Sequence, residues 1–160
     1  MILLALGACG LDFNEPRLIK LAPGKDEPVG FGTWVAIVGT GGRSAVRIDG
    51  NREGELMDGW LVDLLGEDDP EFVVWFRGVV GQRFGTVQVY STEGSLRRLA
   101  IAQLSAEQRA GYRGQDTFSV EDGMLLREYP WYLEDDKDDN PTGGTAKLRY
   151  SFADRAWVAG

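Results

Sequence analysis

The residues most able to do chemistry in this chain are carboxylates. Asp63, Glu67, Asp68, Asp69 and Glu71 crowd into one stretch, and Glu134, Asp135, Asp136, Asp138 and Asp139 into another. Oxygen ligands at that density are what a calcium ion requires. An EF-hand loop sets its ligands at alternating positions with glycine at the sixth, whereas Leu64 and Leu65 stand here where oxygens should be. Asp63, Asp68, Asp69 and Glu71 therefore remain candidate ligands, and calcium is the one cofactor in view. The simpler readings, adopted here, are a solvated turn for the first stretch and an exposed, mobile loop for the second, with no metal in either. Two carboxylates about 5 to 10 Å apart in a cleft would serve glycoside hydrolysis, but nothing in the spacing singles out a pair. The chain has no histidine and a single cysteine, Cys9. That removes the commonest general base and metal ligand, every Ser-His-Asp or Cys-His arrangement, and any internal disulfide. The chain is read as non-enzymatic.

Binding rather than catalysis draws attention to Gly78–Gly85, a glycine-bearing loop between two strongly β-prone runs. Rigid strands at both ends let such a loop present side chains to a partner at low entropic cost. Its end carries Gly81, Gln82, Arg83 and Phe84, and arginine and aromatic residues are common interface anchors. Among the aromatics, Trp60, Trp75 and Phe76 lie in apolar runs and read as core. Trp131, between Pro130 and the acidic stretch, is the one most open to a ligand. The net charge of −8 repels phosphate backbones and would draw in a basic partner.

These candidates need a scaffold, and the sequence describes a β-rich one. With 160 residues, 43% hydrophobic and 26% charged, the chain suits one domain with a real core. Trp34–Val38 and Ser44–Ile48 read as a hairpin across a glycine-rich turn, with Asp49-Gly50-Asn51 stopping the second strand. Leu56–Leu65 is a further apolar segment, closed by the loop that ends at Pro70. Glu71–Arg77 is apolar on both faces and reads as a central strand. Phe84–Tyr90, Leu96–Ile101, Thr117–Val120, Met124–Tyr129, Lys147–Phe152 and Ala156–Val158 follow as strands, with an Asp-Gly turn at 121–123. One short helix is expected over 105–111, capped by Ser105 with Gln108 three residues on and ended by Gly111. The expected fold is all-β, an antiparallel β-sandwich or partly open barrel with one short helix.

The first residues, Met-Ile-Leu-Leu-Ala-Leu-Gly-Ala, precede Cys9. Leu6-Gly7-Ala8-Cys9 resembles the bacterial lipobox, in which cleavage precedes a cysteine that is then lipidated. No lysine or arginine precedes the apolar run, which points to a start upstream of Met1. The expected organisation is a truncated signal and lipobox over 1–9, a tether and first strand over 10–30, and a single β-domain over 31–160. The protein is expected in the periplasm, held to the outer membrane through Cys9.

The stretch from Ser44 to Tyr90 resembles the periplasmic inhibitors of invertebrate-type lysozyme. The resemblance runs through Ser44-Ala45-Val46-Arg47-Ile48, then Asp63-Leu64-Leu65-Gly66-Glu67-Asp68-Asp69-Pro70-Glu71, then Phe72–Phe76 and Arg77. In that family a serine- and tyrosine-bearing loop after the arginine enters the enzyme's cleft. The matching stretch is Gly81-Gln82-Arg83-Phe84, where Phe84 takes the tyrosine place without its hydroxyl and no serine stands at the loop's head. The resemblance implies an inhibitor weakened by those losses, with Arg83 reaching an acidic catalytic residue instead. The C-terminal third, through Glu121–Pro130 and Asn140–Thr145, resembles uncharacterised bacterial lipoproteins. The expected function is a non-catalytic envelope binding protein, a lysozyme inhibitor acting through this loop. Its partner is a protein and not nucleic acid, and a membrane is met only through the lipid. A calcium- or carbohydrate-binding envelope lipoprotein is the alternative.

Overall fold

The computed structural model describes residues 16–40, 45–67, 69–79, 83–93 and 95–160. Cys9, Asp68, Gly81 and Gln82 lie outside them. Among the described residues the strands, in chain order, are β1 (Pro16–Pro23), β2 (Phe31–Thr40), β3 (Val46–Glu53), β4 (Glu55–Val62), β5 (Glu71–Arg77), β6 (Thr86–Ser91) and β7 (Arg97–Leu99). The helix α1 (Ala106–Arg109) comes next, followed by β8 (Thr117–Glu121), β9 (Met124–Pro130), β10 (Thr145–Ser151) and β11 (Ala156–Ala159). They form three antiparallel sheets, β1-β2-β3, β4-β5-β6-β7 and β11-β10-β9-β8, and the architecture is a sandwich, not a closed barrel.

β5 explains the layering. Its residues Glu71–Phe76 are all buried, and successive side chains of a strand point to opposite faces. Phe72, Val74 and Phe76 pack with Trp34, Ala36, Val38 and Ile48 of the first sheet. Val73 and Trp75 pack with Phe118, Leu125, Tyr129 and Trp157 of the third. The β4–β7 sheet is therefore covered on both faces, and an unbroken apolar run is what such a strand requires.

β3 runs on to Glu53, through the Asp49-Gly50-Asn51 stretch expected to stop it. The glycine there has a packing reason. A Cβ on Gly50 would lie 3.1 Å from the Trp34 indole nitrogen, so the bare backbone makes room for a buried ring. The break comes instead at Gly54, at φ +122°, where the chain leaves the first sheet for the second. Arg52, only 3% exposed, fixes that corner. Its guanidinium donates to the carbonyls of Thr33 (3.0 Å), Gly54 (2.8 Å), Pro28 (2.7 Å) and Val29.

The expected Asp-Gly turn joins β8 to β9, with Asp122 (φ +49°) and Gly123 (φ +74°) both in the left-handed region that such hairpins need. The helix is a single turn, shorter than expected, and carries the expected capping box between Ser105 and Gln108.

Candidate functional site

Where the second and third sheets meet, a cleft of about 580 Å³ opens between β6 and the segment 100–104. Its origin lies in the β6–β7 ladder. Only Val89, Tyr90 and Ser91 pair with β7. Continued at that register, Ala100–Ala102 would face Gln88–Thr86. The chain departs instead, because the third sheet captures it. The Trp157 indole donates to the Ala102 carbonyl (2.9 Å), and the Ala102 amide donates to the Tyr150 hydroxyl (3.1 Å). The β7-side edge of Thr86–Gln88 is left without a backbone partner among the described residues.

The floor of the cleft is polar. Along β9, Leu125, Arg127 and Tyr129 alternate inward, so a cation sits in an apolar row. Four rings surround the Arg127 guanidinium, those of Tyr112, Phe118, Trp157 and Tyr129, at 5.2 to 5.7 Å. Its partner is Asp116, whose side chain is fully buried. Asp116 accepts from Arg127 Nε (2.7 Å), from the Tyr112 hydroxyl (2.6 Å) and from the Gly85 amide (2.9 Å), with Arg127 Nη2 in ion-pair contact at 2.6 Å. Three hydrogen bonds and an ion pair hold the Asp116 carboxylate in one place, at the centre of a buried polar network. Burial, reinforced by the bond to Asp116, pushes the Tyr112 phenol well above its ordinary range.

The loop end is tied to this centre. Besides the Gly85 amide on Asp116, the Arg83 carbonyl accepts the Gln115 amide at 2.8 Å. It lies so close to Gly114 that a Cβ there would meet it at 2.6 Å. Phe84 is 57% exposed, at the cleft's border, with its ring 5.6 Å from that of Tyr112. The Arg83 guanidinium is 3.9 Å from Asp138, which also pairs with Arg113 at 3.1 Å.

The acidic stretches are occupied by their own backbone. Asp63 accepts from the Gly66 and Glu67 amides. Glu71 is buried and accepts the Leu64 amide at 2.9 Å, and that burial raises its pKa. Asp69 is exposed. Among the described residues no three His, Cys, Asp or Glu side chains are grouped to hold a metal ion. In the second stretch Asp136 accepts from the Leu133 and Thr142 amides and the Thr142 hydroxyl, which closes residues 133–142 into an ordered loop. Trp131 is half-buried, wedged where any Cβ on Gly111 or Gly143 would strike it at 2.4 Å.

Of the residues expected to form a site, Phe84 borders the cleft, and Arg83 next to it stands outside the lining with its guanidinium near Asp138. Reading the sequence missed the cleft's floor, Tyr112 and Arg127, and the Asp116 buried beneath it. The available signal was Arg127 itself, a cation between Leu125 and Tyr129 on an inward face, which demands a buried partner. Comparison with known proteins finds no matching family model, curated protein or solved structure.

Proposed function

We propose that this chain is a non-catalytic binding protein that engages a protein partner through Phe84 at the border of the cleft and Arg83 beside it. One observation carries the reading: an aromatic side chain more than half exposed stands on a loop end whose backbone is fastened to a buried carboxylate. A preorganised aromatic anchor loses little entropy on docking. The absence of histidine supports binding over catalysis. The first partner to test is an invertebrate-type lysozyme, on the resemblance of Ser44–Tyr90 to its inhibitors, with the net charge of −8 drawing in a basic enzyme.

The test is titration calorimetry with that lysozyme. Phe84→Ala and Arg83→Ala should each weaken binding by about tenfold or more, with unfolding temperatures unchanged because both side chains are largely exposed. Affinity indifferent to both changes would remove the loop from the interface, and no binding to any lysozyme would end the inhibitor form of the reading. The same reading places the protein in the bacterial envelope, anchored through Cys9. Radiolabelled palmitate should enter the wild type and not Cys9→Ser, and a wild type that takes up no label would dismiss the anchor.

A further inference from the structure

Three features of the cleft are unused by the contacts described so far. The outer edge of Thr86–Gln88 has no backbone partner among the described residues, although β5 pairs it on the other side. Arg127 is 8% exposed and borders the cleft, and its Nη1 makes no hydrogen bond to a described residue, while Nε and Nη2 are taken by Asp116 and Tyr112. Arg109, at the end of α1, borders the same space, is exposed and has no ion-pair partner among the described residues. Arg98 also borders the cleft, but its side chain belongs to the other face of the sheet. It pairs with Tyr90, whose ring packs toward the first sheet, and side chains opposite each other share a face.

An open sheet edge selects an extended chain, because its amides and carbonyls repeat at strand spacing. Among the described residues, the free Nη1 donor of Arg127, whose charge Asp116 already balances, together with the unpaired cation of Arg109 at the rim, selects a carboxylate. No Asp or Glu borders the cleft, in a protein whose net charge is −8. The volume falls within the ~300–1,000 Å³ common for ligand clefts.

We infer that the cleft takes an extended peptide segment that adds to the β6 edge at Thr86–Gln88 and sets one acidic side chain on Arg127 and Arg109. The inference rests on reading this region as a recognition site, and it adds the mode of binding and the chemistry of the bound segment.

The probe is the capped peptide Thr-Val-Asp-Val-Thr-Ser, titrated into the full chain and followed by amide NMR. Shifts at Thr86, Val87 and Gln88 are expected. Binding should weaken about tenfold when the peptide's Asp is replaced by Asn, and similarly in the Arg109→Glu protein. N-methylation of alternate peptide amides should abolish it. Arg109 is exposed, so that variant keeps its fold. Shifts confined to other residues, indifference to N-methylation, or equal binding of the Asn peptide would each overturn the inference. So would no binding of the peptide at all. Lysozyme titrations with Arg109→Glu and Phe84→Ala separate the two readings. Peptide binding that fails while Phe84-dependent lysozyme binding persists defeats the inference alone, and the converse defeats the loop reading alone.

Discussion

Asp116 and Arg127 are a buried pair whose worth depends on both members being present. With side-chain exposures of 0% and 10%, removing the carboxylate charge strands a guanidinium among four aromatic rings. Asp116→Asn should therefore cost about 3–5 kcal/mol in denaturant unfolding, and Arg127→Met added to it should recover part of that loss. A double variant no more stable than Asp116→Asn would show that the burden lies elsewhere, in the Tyr112 and Gly85 donors. Glu71 gives a pH signature. Burial raises its folded pKa above 4.5, so the native state holds its proton longer than the unfolded chain. Stability then falls as pH rises from 4.5 through the raised value. Asp136, lowered mainly by the Thr142 hydroxyl, and Glu27, lowered mainly by the Thr33 amide, act with the opposite sign. What they contribute is present above their unfolded values, 3.8 and 4.5, and is lost as pH falls through their folded ones. Melting temperature should peak in mild acid, and Glu71→Gln, which keeps an acceptor for the Leu64 amide, should flatten the alkaline side of the peak. An unchanged slope in Glu71→Gln would assign the descent to another group.

Elements were legible where local chemistry and packing agreed. The unbroken run of β5, the Asp-Gly turn before β9 and the Ser105–Gln108 box each state one conformation, and each formed. β3 was misread because Gly50 signals a turn locally, and only the Trp34 ring across the sheet explains it as space. The site was half legible. Arg83 and Phe84 announce themselves beside glycines, whereas Asp116 lies between a helix and a strand with nothing nearby to mark it as buried. The cleft itself could not be read, since it exists because Tyr150 and Trp157, some fifty residues on in the chain, draw 100–104 away from β6. Loop and turn now make a joint prediction. Gly114 has φ +92° and backs onto the Arg83 carbonyl. Gly114→Ala should cost roughly 1–3 kcal/mol from backbone strain and should displace Arg83 and Phe84, weakening partner binding without touching either side chain. Full affinity in a destabilised Gly114→Ala protein would mean that the loop end finds its own place.

At the scale of the molecule, two cores share one strand. Phe76 belongs to the core under the first sheet and Leu125 to the core under the third, and β5 contributes side chains to both. A sheet wetted on either face would expose Phe72, Val74 and Phe76, or Val73 and Trp75, so neither outer sheet can leave while the middle one stays native. The three layers should therefore unfold together. Phe76→Ala and Leu125→Ala should each cost about 2–5 kcal/mol. Each should lower one and the same transition, by roughly 2–4 °C per kcal/mol for a chain of this size. Trp34 fluorescence reports the first core and Trp157 the other, so single-tryptophan versions of each variant follow the cores separately. Coincident curves in both variants are the expected result. If Phe76→Ala moved only the Trp34 curve and Leu125→Ala only the Trp157 curve, β5 would not be the shared keel that its burial on both faces makes it.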